Sequence, residues 1–405
     1  MPALSKSMII LGLSLLILLI YACPKPEDDD DAGLIVPQET IEWPSLANTP
    51  WPMFQHDPQH TGRSDYSGPS LGTLDNQIPI SLGVSGAVVG FDSSIYIGTT
   101  RNFYSFDLAG NENWSVGYST SSTPIIGADS TVFAAGQEFF QAYTTTGNSL
   151  WLSSIEKTVA IGINIDMDGN MYYVDENATL NAIDPDGNAL WSITDSRFQS
   201  YEDGAPTFSP DGNTLYVQGD SVSVLAVDIG THSVVWTFGD EYLLSSPAVD
   251  NAGNLYFVPG VQKNDGPRTL YCLDSNGEIV WQHDFVSERV WDNTEITIDH
   301  NGNIYFASDT LYSFDNSGEL NWKVGFGTDI SNTCPLICDR NNTIYLNAAN
   351  EKTWSNYVMA FDSKGTLLWQ LNPGVFLGPS PALTEDGTLL YPTWEASPGY
   401  LLLIN

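Results

Sequence analysis

The chain has 405 residues, with 49 Asp plus Glu against 13 Lys plus Arg, for a formal net charge of −36. Such a surplus of anions repels phosphate backbones and anionic headgroups, which sets aside nucleic acid as a partner and charge-driven attachment to a membrane. Aromatic residues make up 12% of the chain and no window sustains a helical period, so the composition points to an all-β fold.

The first element is an apolar run, Met8–Ile20, behind Lys6. As a helix it would span roughly 20 Å, short of a hydrocarbon core of about 30 Å, and it suits the hydrophobic region of an export signal. Ile20-Tyr-Ala-Cys23 resembles a bacterial lipoprotein signal. The resemblance implies that residues 1–22 are removed and that Cys23 carries the lipid. The following stretch, 23–48, opens with Pro24-Lys-Pro-Glu-Asp-Asp-Asp-Asp31. Like charges and prolines bury little apolar surface, so an acidic flexible tether is expected there. These features together imply an exported lipoprotein of the outer membrane, on its periplasmic or cell-surface side, held by its N-terminal lipid alone. A lead-in segment, 49–74, precedes the repeats.

From there to the last residue one phrase recurs. Ala182-Ile-Asp-Pro-Asp-Gly-Asn-Ala-Leu-Trp191 and Tyr271-Cys-Leu-Asp-Ser-Asn-Gly-Glu-Ile-Val-Trp281 each read as a strand, a turn and a second strand carrying Trp. The series is Trp114, Trp151, Trp191, Trp236, Trp281, Trp322 and Trp369, at intervals of 37, 40, 45, 45, 41 and 47 residues. A period of roughly 40–50 residues with four short strands per unit predicts a propeller. Each unit opens with a strand such as Ser246-Pro-Ala-Val-Asp250, then a turn such as Asp168-Gly-Asn170 or Asn301-Gly-Asn303. Gly and Asn tolerate the left-handed backbone those hairpins need.

The openings number eight and the hairpin tryptophans seven. The eighth unit stops at Leu401-Leu-Leu-Ile-Asn405, where the others place their Asp, so its last strand has to come from elsewhere. Residues near 75–82 stand at the right interval before Gly86-Ala-Val-Val89 to supply it. The expected fold is therefore a single eight-bladed β-propeller of four-stranded blades over 75–405, closed by an N-terminal strand that hides two sheet edges.

The repeat Ala-x-Asp-x-x-Gly-x-x-x-Trp, clearest at Ala182, Asp184, Gly187 and Trp191, resembles the PQQ-like propeller repeats. These occur in quinoprotein alcohol dehydrogenases and in outer-membrane assembly lipoproteins of the BamB type. The segment Trp51–Ser64 is similar to the one preceding many such propellers. The resemblance implies that the seven tryptophans are structural and dock on neighbouring blades. The dehydrogenases carry adjacent cysteines over their quinone, a calcium site and a catalytic Asp. This chain has no Cys-Cys pair and few cations to hold a tricarboxylate, so no cofactor and no catalysis are expected.

Other motifs are weaker. Cys334 and Cys338 lie about 13 Å apart along one extended strand, too far for a disulfide, and Cys272 belongs two units earlier, so buried thiols are expected. Asp166-Met-Asp-Gly-Asn170 and Asp184-Pro-Asp-Gly-Asn188 open like calcium loops. They lack a Glu at the twelfth position, which favours plain hairpin turns. His56, Asp57 and His60 are spaced loosely for a metal, with Pro58 between them, and no metal is expected.

In a four-stranded blade the first-to-second and third-to-fourth turns share one face, here short and acidic. The opposite face carries the variable loops and gathers Arg197, Tyr201, Arg268, Arg289, Trp291, Trp354 and Trp394. Trp, Tyr and Arg dominate binding hot spots, which marks this as the candidate binding face. The leading expectation is a monomeric, non-catalytic, lipid-anchored propeller that binds an envelope protein or a surface glycan. The alternatives are a PQQ-dependent dehydrogenase-like enzyme and a carbohydrate-binding or carbohydrate-cleaving propeller.

Overall fold

The computed structural model describes residues 36–81, 83–120, 122–136, 139–154, 162–199, 204–260, 268–286, 295–327, 330–332, 334–350, 352–353, 355–378, 380–394 and 399–405. Among the described residues, thirty-three strands form eight separate sheets arranged as an eight-bladed β-propeller. In chain order the blades span 83–116, 125–154, 164–194, 207–238, 248–285, 297–325, 330–371 and 382–404. Blade 3 is typical: Asn164–Ile165 is innermost, then Met171–Val174, Thr179–Ile183 and Ala189–Thr194, all antiparallel. In blade 7 the innermost strand is broken into Ile330–Asn332 and Ile337–Cys338, both paired to Ile344–Asn350.

Blade 8 closes as the sequence implies. Leu74–Ile80 pairs antiparallel with Gly399–Ile404, setting Ile78 against Leu401 and Gln77 against Leu402. The strand begins slightly earlier than expected, because a bulge between Leu74 and Asn76 lets the register start at Ile404.

The outermost strands share one irregularity. In all seven blades with a hairpin tryptophan, pairing skips the residue just before it: Asn113, Leu150, Leu190, Val235, Val280, Asn321 and Leu368. A bulge bends and twists the strand, so it blunts the outer edge against edge-to-edge pairing and re-aims the tryptophan toward the next blade.

Six of those indoles make the same seam. Their Nε1 groups donate to a carbonyl of the following turn: Trp114 to Thr145, Trp151 to Pro185, Trp236 to Ser275, Trp281 to Asn316, Trp322 to Ser363 and Trp369 to Pro69, at 2.8–3.1 Å. Each ring also lies on a left-handed glycine of that turn. At Gly318, with φ +88°, a Cβ would stand 2.6 Å from the Trp281 ring. Trp191 differs. The position four before Trp236 is His232, left-handed at φ +53°, and Trp191 stacks on its imidazole with centroids 4.5 Å apart. At the eighth seam no indole is present; Asn76 Nδ2 donates to the Ala109 carbonyl at 3.2 Å instead.

The acids of the turns are largely committed to them. Asp166 accepts from the Asp168 and Asn170 amides, from the Asn170 side chain and from the Tyr172 hydroxyl. Asp250 and Asp299 repeat this set with Tyr256 and Tyr305. Asp184 likewise accepts from the Asp186 and Asn188 amides. Burial, reinforced by the neighbouring carboxylate, pushes the Tyr172, Tyr256 and Tyr305 hydroxyls up, so they remain donors. These segments are hairpin turns in which the first carboxylate closes the turn on itself.

Candidate functional site

Every innermost strand exposes one unpaired edge to the propeller axis, and a buried N–H without an acceptor is costly. Residues 51–66 meet that need on the hairpin side. Six amides, each from the last residue of an innermost strand, donate to consecutive parts of this segment. They run Val89 to Trp51 O, Ile126 to Pro52 O, Phe208 to Pro58 O, Val249 to Gln59 O, Ile298 to Thr61 O and Cys338 to Gly62 O, at 2.8–2.9 Å. In blade 3 the Asn164 side chain takes the equivalent amide, that of Ile165, at 2.7 Å. One segment thus plugs the axis and ties six blades together.

The plug is tightly wound. Gln55, His56 and His60 are all left-handed, at φ +51°, +73° and +54°. Non-glycine residues hold such backbone only where surrounding structure imposes it. Arg63 is buried and donates to the Ile298 and Glu39 carbonyls, both at 3.3 Å. Asp57 accepts from the Thr61 amide at 3.0 Å and from the Thr61 hydroxyl. His60 is buried, with Nδ1 2.9 Å from Thr207 Oγ1 and Nε2 3.4 Å from Asn164 Nδ2. Of the residues weighed as loose metal ligands, Asp57 and His60 therefore have hydrogen-bond partners within the protein, His60 points into blades 3 and 4, and His56 lies edge-on to the Trp51 ring with centroids 5.2 Å apart.

Burial strips water from the His60 imidazolium and lowers its pKa from 6.5 to about 4, while the Asp57 charge opposes that only in part. An unfolded histidine takes up its proton near 6.5, so the native plug disfavours protonation. Stability from this group is complete above about pH 6.5 and is lost as pH falls toward 4, by about 3 kcal/mol. His60→Asn should flatten the acid limb of stability between pH 7 and 4 in urea titrations. An unchanged slope would show that His60 does not govern it.

The lead-in continues around the same face. Residues 36–48, assigned to the tether from sequence, pack against the propeller: Val36 N donates to Asn301 O, Trp43 Nε1 to Ile165 O and Ala47 N to Ile126 O. Trp43 and Ala47 are buried, which gives this acidic stretch the apolar anchors that its composition conceals. Cys23 and the signal segment lie outside the described residues.

Of the residues singled out from sequence for the opposite face, Arg197, Arg268 and Trp394 are among the described residues. Trp394 is exposed, at 57% of its full surface. Arg197 is held by its neighbour, with Nε 2.9 Å from Asp195 Oδ1, so its guanidinium is partly committed. Arg268 is buried at 3% exposure, because it opens the strand Arg268–Leu273 inside blade 5, and it offers nothing to a partner. Tyr201, Arg289, Trp291 and Trp354 lie outside the described residues. Cys272, Cys334 and Cys338 are buried thiols outside any disulfide, and burial pushes Cys272 up to about 12.

The plug itself was not legible as a functional element. Its signal was indirect: Trp51–Ser64 is the long stretch, with Pro52 and Pro58, that fits no repeat in an otherwise periodic chain.

Eight four-stranded blades with tryptophan seams define a PQQ-like β-propeller. A family model described as outer membrane protein assembly factor BamB matches residues 102–238 and 266–393, more than half of the chain. The chain belongs to that family. Among solved structures, it is similar to a quinohemoprotein alcohol dehydrogenase from Comamonas testosteroni, at 13% identity and TM-score 0.68 over 89% of this chain and 81% of that one. BamB from Moraxella catarrhalis aligns at 14% identity and TM-score 0.60, over 82% and 97%. A europium-containing methanol dehydrogenase aligns at 12% identity and TM-score 0.63, over 85% and 89%. At these identities the likeness is one of fold. No curated protein sequence matches the chain.

The fold shared with the dehydrogenase structures raises the question of a quinone. Arg63, the buried cation at the axis, is already committed to two carbonyls, and the chain has no adjacent cysteines. Among the described residues, those at the axis offer no uncommitted cation to a tricarboxylate.

Proposed function

We propose that this protein is a non-catalytic scaffold of the cell envelope, anchored by a lipid on Cys23, that binds a protein partner through its variable-loop face. The observation that carries this reading is the asymmetry of the disc. Residues 36–66 run over the hairpin side and plug the axis there, while the loop side keeps an exposed indole at Trp394. Membership of a family described as an outer membrane protein assembly factor supports an envelope role and a protein partner. The loop aromatics and cations Arg289, Trp291 and Trp354 extend the same face in sequence.

The test is affinity capture from native membranes with the full-length protein, followed by the same capture with Trp394→Ala and with the pair Arg289→Ala and Trp291→Ala. The reading expects each variant to lose the captured partner at least about tenfold with an unchanged melting temperature, as for truncated hot spots. Retention of the partner by all of them would overturn it. Reduction of a dye by the protein with added quinone, calcium and alcohol would instead favour the enzyme reading.

A further inference from the structure

On the hairpin face the lead-in leaves a concave gap between blades 2 and 3. The cleft encloses about 200 Å³. Ser45 edges it, with its carbonyl accepting from the Ala128 amide at 2.8 Å and its hydroxyl donating to the Asp166 carbonyl. The wall is apolar: the Phe133 ring from blade 2 and the Pro185 ring from the far turn of blade 3. Two carboxylates from different blades, Asp129 and Asp168, share the rim, and both residues are exposed.

These two acids differ from the acids that close the turns. Asp129 accepts one donor on each oxygen, from the Thr131 amide at 2.9 Å and the Thr131 hydroxyl at 3.0 Å, which leaves each oxygen a free lone pair. Asp168 donates its amide to Asp166, but its own carboxylate has no hydrogen-bond partner among the described residues. The cleft is well below the roughly 300–1,000 Å³ of a pocket for a drug-sized ligand, so its occupant is about the size of one long side chain. An apolar wall under an anionic rim matches the alkyl stem and charged head of a basic residue. A partner for a chain of net charge −36 gains most by presenting such residues.

We propose that this cleft receives a single lysine or arginine side chain of a protein partner, its stem on Phe133 and Pro185 and its head between Asp129 and Asp168. The contact is separate from the loop-face interface and stands or falls independently of it, because it lies on the opposite side of the disc.

The probes are N-acetyl-arginine methylamide and N-acetyl-lysine methylamide, titrated into the intact protein at ~150 mM salt to screen the diffuse surface field. Amide shifts of Gly127, Ala128 and Gly169 report the cleft. Saturable shifts are expected with both cations, and none with the uncharged norleucine analogue. Replacing Asp129→Asn and Asp168→Asn together should weaken binding by about tenfold. Replacing Glu278→Gln and Glu319→Gln removes the same charge from other turns of this face and should leave binding within about twofold. Ala128→Leu keeps every charge, narrows the cleft and should also abolish saturation, which covers the case of a misfolded double variant. Absence of saturable shifts in the unmodified protein, or equal weakening by the two charge-removing pairs, would overturn the proposal.

Discussion

Removing residues 1–81 should make the protein aggregate, whereas removing residues 1–35 should leave its melting temperature and its state of association unchanged. The longer deletion takes away two things at once. Leu74–Ile80 is the outer strand of blade 8, and without it Gly399–Ile404 presents a bare apolar edge of Leu401, Leu402, Leu403 and Ile404. Such an edge is a template for pairing with another chain. The deletion also removes residues 51–66, which leaves six inner-edge amides without the carbonyls they now reach. At about 1–3 kcal/mol for each buried group left unsatisfied, that loss alone rivals the stability of a typical domain. Static light scattering on the purified fragments separates the outcomes. A monomeric 82–405 fragment of undiminished stability would mean that neither closure nor plug matters.

The second large effect is expected at the seams. Trp369→Ala should cost roughly 3–5 kcal/mol, since the indole is buried, donates to Pro69 and lies on Gly72 at the approach to the closing strand. Trp281→Ala should cost less, because that ring is only half-buried. Gly318→Ala should be destabilising on its own, through a left-handed backbone and a clash with the Trp281 ring. The clash vanishes once the indole is gone, so the double variant should be more stable than the sum of the two single losses. Urea unfolding of the four proteins closes this cycle. Strict additivity would mean that ring and glycine do not bear on one another. Loss of partner capture by Trp281→Ala with undiminished stability would give that tryptophan a binding role instead.

The two faces of the disc also behave differently toward change. Turn acids such as Asp166, Asp250 and Asp299 are bound to their own hairpins, so the strong negative charge is in part a by-product of turn chemistry. Asp129 and Asp168 keep free acceptor sites and stand apart from that pattern. The exposed bulge residues Leu150, Leu190, Val235 and Val280 run over four successive blades, where blades 1 and 6 carry Asn113 and Asn321 in the same place.

Much of the architecture was readable from residue order alone. Repeat number, strand order within a blade, the seven hairpin tryptophans and the borrowed eighth strand all follow from local signals: alternation, Asp/Asn-Gly turns and fixed spacing. Such signals act within one hairpin, where a few neighbouring side chains and one turn type decide the geometry. The plug could not be read this way. Its partners are amides contributed by six blades from Val89 to Cys338, and they converge only once the ring has closed. The packing of 36–48, the burial of Arg268, the exchange of glycine for His232 beneath Trp191, and the cleft between Asp129 and Asp168 are of the same kind. Each depends on atoms far apart in the chain. Local periodicity therefore determined the fold of this protein, and closure of the ring decided which polar groups are spent within it and which remain for a partner.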